Sequence, residues 1–162
     1  MKLFPVALLG LVTLVPTPVL ATKEIHQHKA LEIAADIPVP EIELSVFRDE
    51  TDGINLHINT NKYELNSPNA AYQGKYLSGH AHLFVNGTKV QRVYGSYVHL
   101  PKSLFKGGVN QIAVSLNSHQ HENYTKKGQN IVGSVFIDFA KAELVVHDFS
   151  SQPMTNHSHH HH

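Results

Sequence analysis

From Glu41 onward the apolar residues fall at every second position in short runs, and this alternation constrains the fold more than any other feature. In an extended strand, side chains at i and i+2 share a face, so a half-buried strand alternates apolar and polar residues. Ile42, Leu44 and Val46 follow that rule. "INLHINT" sets Ile54, Leu56 and Ile58 against Asn55, His57 and Asn59. "VNQIAVSLN" turns Ile112, Val114 and Leu116 inward, and "SVFIDF" and "AELVVHDF" follow. Between the runs lie turn residues. Asn86-Gly87 is the strongest, because the type I′ turn common in two-residue hairpins needs positive φ at both positions, which Asn and Gly tolerate. Leu83 and Val85 are expected to face one way and His80, His82 and Phe84 the other. Thr88 to Tyr94 returns as the partner strand, with Val90 roughly opposite Leu83. The punctuated stretch 61–78 reads as loop. The whole predicts an antiparallel sandwich or small barrel of about seven to eight strands.

Four segments are expected. Residues 1–21 resemble a cleavable leader: Lys2, an apolar run from Leu3 to Leu20 interrupted by prolines, and small residues before Thr22. Residues 22–40 form a lead-in in which Leu31, Ile33 and Ile37 support a short helix ended by Pro38 and Pro40. Residues 41–149 hold the β-domain. Residues 150–162 form a His-rich, low-complexity tail expected to be disordered, read as native because a tag commonly has a longer unbroken run. The leader implies export to the periplasm or beyond, with no membrane insertion once it is cut.

Charge and composition narrow the partners. Taking away Lys2 leaves 12 basic residues against 13 acidic ones, which offers nothing to nucleic acid or an anionic membrane. There is no cysteine, so thiolate metal chemistry and disulfides are both excluded. Histidine, at 14 residues, is the outlier. His80 and His82 stand side by side on one strand face, a rigid source of two imidazoles. His57, His99, His119 and His121 also lie on or beside strands, and a sandwich can gather such residues at one end or face. All-imidazole sites suit Cu(II), Zn(II) or Ni(II). Copper binds most tightly of these, so copper ranks first and zinc second. His26, His28, His157 and His159 to His162 can capture metal loosely from the chain ends.

No G-x-S-x-G, H-E-x-x-H or phosphate loop is present, so enzyme chemistry is not favoured. The alternatives are a metalloenzyme with an all-His copper or zinc site, and an interaction or adhesion domain without metal.

"GHAHLFVNGTKVQRVYGSYVHL" followed by "NQIAVSLNSHQH" resembles a group of poorly characterised exported bacterial proteins. Their pattern runs G-H-A-H-L-Y-V-N-G, R-V-Y-G, a His-containing strand, then L-N and a nearby His. Gly79, His80, Ala81, His82, Leu83, Val85, Asn86 and Gly87 match the first part. Arg92, Val93, Tyr94 and Gly95 match the second, followed by His99, Leu116, Asn117 and His121. His57 fits the start, Phe84 replaces a Tyr, and His119 falls outside the pattern. The resemblance covers roughly residues 41–139. It implies a cupredoxin-like or immunoglobulin-like Greek key and adds weight to His80, His82, His99, His57 and His121 as metal ligands. Asn55, Asn59 and Asn117 are candidates to hold an imidazole by its second nitrogen, and Tyr94 and Tyr97 to shield the ion. The expected role is copper storage, delivery or resistance, with another periplasmic copper protein as exchange partner.

Overall fold

The alternating runs pair into two sheets with the apolar residues of both between them. A computed structural model describes residues 29–70 and 74–151. The strands are β1 (Ala30–Glu32), β2 (Glu41–Arg48), β3 (Ile54–Asn61), β4 (Tyr63–Leu65), β5 (Leu77–Val85), β6 (Thr88–Val93), β7 (Tyr97–Leu100), β8 (Val109–Asn117), β9 (Asn123–Lys126), β10 (Gln129–Asn130), β11 (Val132–Asp138) and β12 (Val145–Ser150). The smaller sheet is β2-β3-β7. The body of the larger, nine-stranded sheet runs β12-β11-β8-β5-β6, with β4 beside β5 and with β9, β10 and β1 at the end of β8. Pairing is antiparallel except for β1 with β9 and β4 with β5. The architecture is an all-β sandwich. Among the described residues no helix is long and apolar enough to cross a membrane.

The core follows the alternation. Ile42 and Leu44 of β2 and Ile54, Leu56 and Ile58 of β3 meet Ala81, Leu83 and Val85 of β5, Ile112, Val114 and Leu116 of β8, and Val135 and Ile137 of β11. The sheets approach closely at Gly133, where a Cβ would lie 3.2 Å from Leu44 and 3.3 Å from Ile42. Asn86 and Gly87 turn the β5–β6 hairpin with φ of 50° and 79°, the signature of a type I′ turn. The Asn86 side chain reaches Asn110 and accepts from the Gln111 amide, fixing the turn to β8.

The described residues hold twelve strands where seven or eight are expected, because β1, β4, β9 and β10 have only two to four residues, too few to carry a periodicity. Ala30–Glu32 is a strand rather than a helical turn. Its Glu32 carboxylate accepts from the Lys127 and Gly128 amides and from Thr125, which holds it below the usual carboxylate range. Tyr63–Leu65 is a strand inside the stretch read as loop. Val90 is not opposite Leu83: Leu83 pairs with Gln91 and Phe84 with Lys89, leaving Val90 as the extra residue of a bulge. At the C-terminal end, Ser151 still donates its amide to the Val132 carbonyl. Residues 1–21, expected to be a leader, and most of the expected tail, with His26, His28, His157 and His159 to His162, lie outside the described residues.

Candidate metal centre

On β5 both faces are buried. Ala81, Leu83 and Val85 point into the core, so His80 and His82 point to the outer face of the large sheet, yet they are only 1% and 0% exposed. The cover is local: Tyr94 lies 5.6 Å from His80, ring to ring, and the loop after β8 folds over the pair. The two imidazoles meet through their Nε2 atoms, 2.9 Å apart. At that distance one ring donates its N–H to the lone pair of the other.

The strand is held in place by what lies beneath it. The buried Tyr63 hydroxyl sits 3.0 Å from the His80 carbonyl and 2.8 Å from the Asn117 carbonyl, clasping β5 to β8 beside the histidine. Burial, then the neighbouring Tyr124, pushes the Tyr63 phenol up, so it remains a donor. Gly79 permits the clasp. A Cβ there would stand 2.1 Å from the Asn117 carbonyl oxygen and 2.8 Å from the Tyr63 hydroxyl.

The third imidazole comes from the loop. Asn117 is fully buried; its side-chain oxygen accepts from Ser115 and its amide donates to Asn123. The next five residues close on themselves: the Ser118 amide donates to the Glu122 carbonyl, the His121 amide to the Ser118 carbonyl, and the Glu122 amide to Ser118 Oγ. Lys29, whose carbonyl accepts from the Asn123 amide, forms an ion pair with Glu122 at 3.4 Å. To complete this turn His121 adopts φ of 67°, in the left-handed region that a non-glycine residue rarely occupies. The result places its ring 4.7 Å from His80 and 5.9 Å from His82. Nitrogens of His80, His82 and His121 all lie within 4.8 Å of one another, a group able to hold a metal ion.

Burial, followed by the nearby His121, Arg92, His119 and Lys89, pushes the His80 imidazole down to about 4. A neutral imidazole at ordinary pH is what a metal requires of its ligand. The donors are uncharged, which disfavours hard ions such as Ca²⁺ and Mg²⁺ that need oxygen ligands.

Three of the expected ligands thus come together and two do not. His57 and His99 occupy the outer face of the small sheet, where His57 stacks on Tyr97 at 4.4 Å and 10° and His99 Nδ1 lies 3.3 Å from Asn55 Oδ1. The whole core separates them from His80, because successive faces of a sandwich look in opposite directions. Asn55 does hold an imidazole, but that of His99. Asn117 braces the loop rather than a ring, and Tyr97 shields His57, leaving Tyr94 as the cover. His119, outside the expected pattern, lies 6.5 Å from His80, ring to ring. The structural contributions of Tyr63 and Gly79 leave no periodic signal; a glycine inside a strand, which can mark a close backbone approach, is the signal that could have found the second. Comparison of the chain with family models, curated proteins and solved structures finds no match.

Proposed function

We propose that this protein is an exported metal-binding protein that holds copper through His80, His82 and His121, for storage, delivery or resistance. The observation that carries the reading is the convergence of three imidazoles, two buried on a strand and one half-buried on a loop in strained backbone conformation. An ion would take the place of the proton shared by His80 and His82. With metal–nitrogen bonds of about 2.0 Å, two donors 2.9 Å apart subtend an angle of about 90° at the ion. Right angles belong to the tetragonal geometry of Cu(II), and a tetrahedral Zn(II) would need the rings to spread. The nearby cations Arg92 and Lys89 oppose added positive charge, so retention depends on dative bonding to nitrogen, in which copper leads the divalent series. Zinc is the second choice. The likeness of 41–139 to exported bacterial proteins and the leader-like residues 1–21 support a periplasmic or secreted location, with another copper protein as donor or acceptor.

The test is a Cu(II) titration against a chelator of known affinity, in a chain carrying His157→Ser, His159→Ser, His160→Ser, His161→Ser and His162→Ser. The same chain with His80→Ala and His82→Ala is run beside it. One tight equivalent, weakened at least ~100-fold in the double variant, is expected, a change of about 2.7 kcal/mol. Equal, weak binding by both chains would leave the pair as a buried structural hydrogen bond and remove the metal reading.

A further inference from the structure

The geometry points to His119 as a fourth imidazole that closes over the ion, making the centre a sealed carrier site with no position open to a substrate. This rests on the metal reading above and concerns a residue that neither the strand pattern nor the three-histidine group includes. His119 is half-buried on the Ser118–Glu122 loop, with its ring 6.5 Å from that of His80 and inclined by 30°. Its Nδ1 is sequestered from solvent and has no hydrogen-bond partner. A buried polar atom left unpaired costs about 1–3 kcal/mol, so native structures nearly always satisfy it. The His119 ring lies 6.5 Å from that of His80, a member of the three-histidine group, and an ion bound there that drew His119 in would supply the missing partner.

The loop makes this mechanically simple. His119 and His121 are two residues apart in a turn closed by three hydrogen bonds among Ser118, His121 and Glu122, so a shift of the turn displaces both. The three-histidine nitrogens spread up to 4.8 Å, whereas ligands on one ion, each about 2.0 Å from it, are at most about 4 Å apart. Binding therefore draws the loop inward by a fraction of an ångström, and that motion carries His119 with it. The strand pair His80 and His82 is the fixed half of the site, and the loop pair is the movable half. A four-nitrogen set satisfies either Cu(II) or Zn(II) without water. Metal sites that perform catalysis keep a position open, while closed sites retain the ion. Release to an acceptor then requires the loop to lift.

The experiment compares the full chain bearing the five terminal serine substitutions given above with the same chain also carrying His119→Gln. Each is loaded with less than one equivalent of isotopically pure Cu(II) and examined by EPR, with affinity measured by chelator competition. The expected result is a nitrogen hyperfine pattern of four donors that falls to three in H119Q, with at least ~10-fold weaker binding and an unchanged far-UV spectrum. Identical hyperfine patterns and affinities in the two chains would overturn the assignment of His119 while leaving the three-histidine centre standing. No specific binding in either chain would overturn both.

Discussion

A buried histidine must either remain neutral or find an anion, and His80 has cationic neighbours instead. Its imidazole is therefore held down to about 4, below the ordinary value near 6.5. In the metal-free protein the folded state binds fewer protons than the unfolded one between those values. Stability present above about pH 6.5 is thus lost as the pH falls towards 4. Urea midpoints measured at pH 7, 5.5 and 4.5 should decline in that order, and the decline should flatten in His80→Gln; a midpoint unmoved down to pH 4.5 would contradict the assignment. Gly79 is the second decisive residue. Gly79→Ala drives a Cβ into the Asn117 carbonyl, so it should cost roughly 2–4 kcal/mol in chemical denaturation. The exposed turn glycine Gly87 has nothing within 4 Å and should cost only about 1 kcal/mol on the same change, because there only its positive φ is strained.

At the level of elements, β4 and the 118–122 loop do what the long strands cannot: they fix the last turn of geometry at the site. Tyr63→Phe removes the hydroxyl that clasps the His80 and Asn117 carbonyls. It should lower stability by about 1–2 kcal/mol and loosen copper binding through misplacement of His80, which paired denaturation and chelator competition would reveal. A variant with native stability and native affinity would show the clasp to be incidental. These short elements also mark where the sequence stops being readable. The long strands, the Asn86-Gly87 turn and the outward placement of His80 and His82 were legible because period-two alternation and turn chemistry are local. β4 and β1 were not, since three residues held by a tyrosine hydroxyl or a glutamate carboxylate leave no periodic trace. His121 was legible as a candidate, but its positive φ is set by the loop closing on Ser118.

For the whole molecule, the sandwich places His57 and His99 on one outer surface and His80 and His82 on the opposite one. Alternation alone made His57 and His99 look equivalent to His80 and His82, because all four lie on polar faces of strands. Which sheet each strand joins is decided by long-range pairing: β3 with β2 and β7, β5 with β6 and β8. The proposed copper site therefore predicts that His57→Ala with His99→Ala leaves copper affinity unchanged within about 3-fold, a difference below 1 kcal/mol, in the same competition assay. Tight binding lost in that double variant would mean that the opposite face carries the ion. The central claim is the location of the metal, and the most direct measurement is a crystal structure of the copper-loaded protein with anomalous diffraction collected at the copper edge. The account predicts one strong peak about 2.0 Å from nitrogens of His80, His82 and His121. A map with that position empty, the His80–His82 contact intact and copper elsewhere would contradict it.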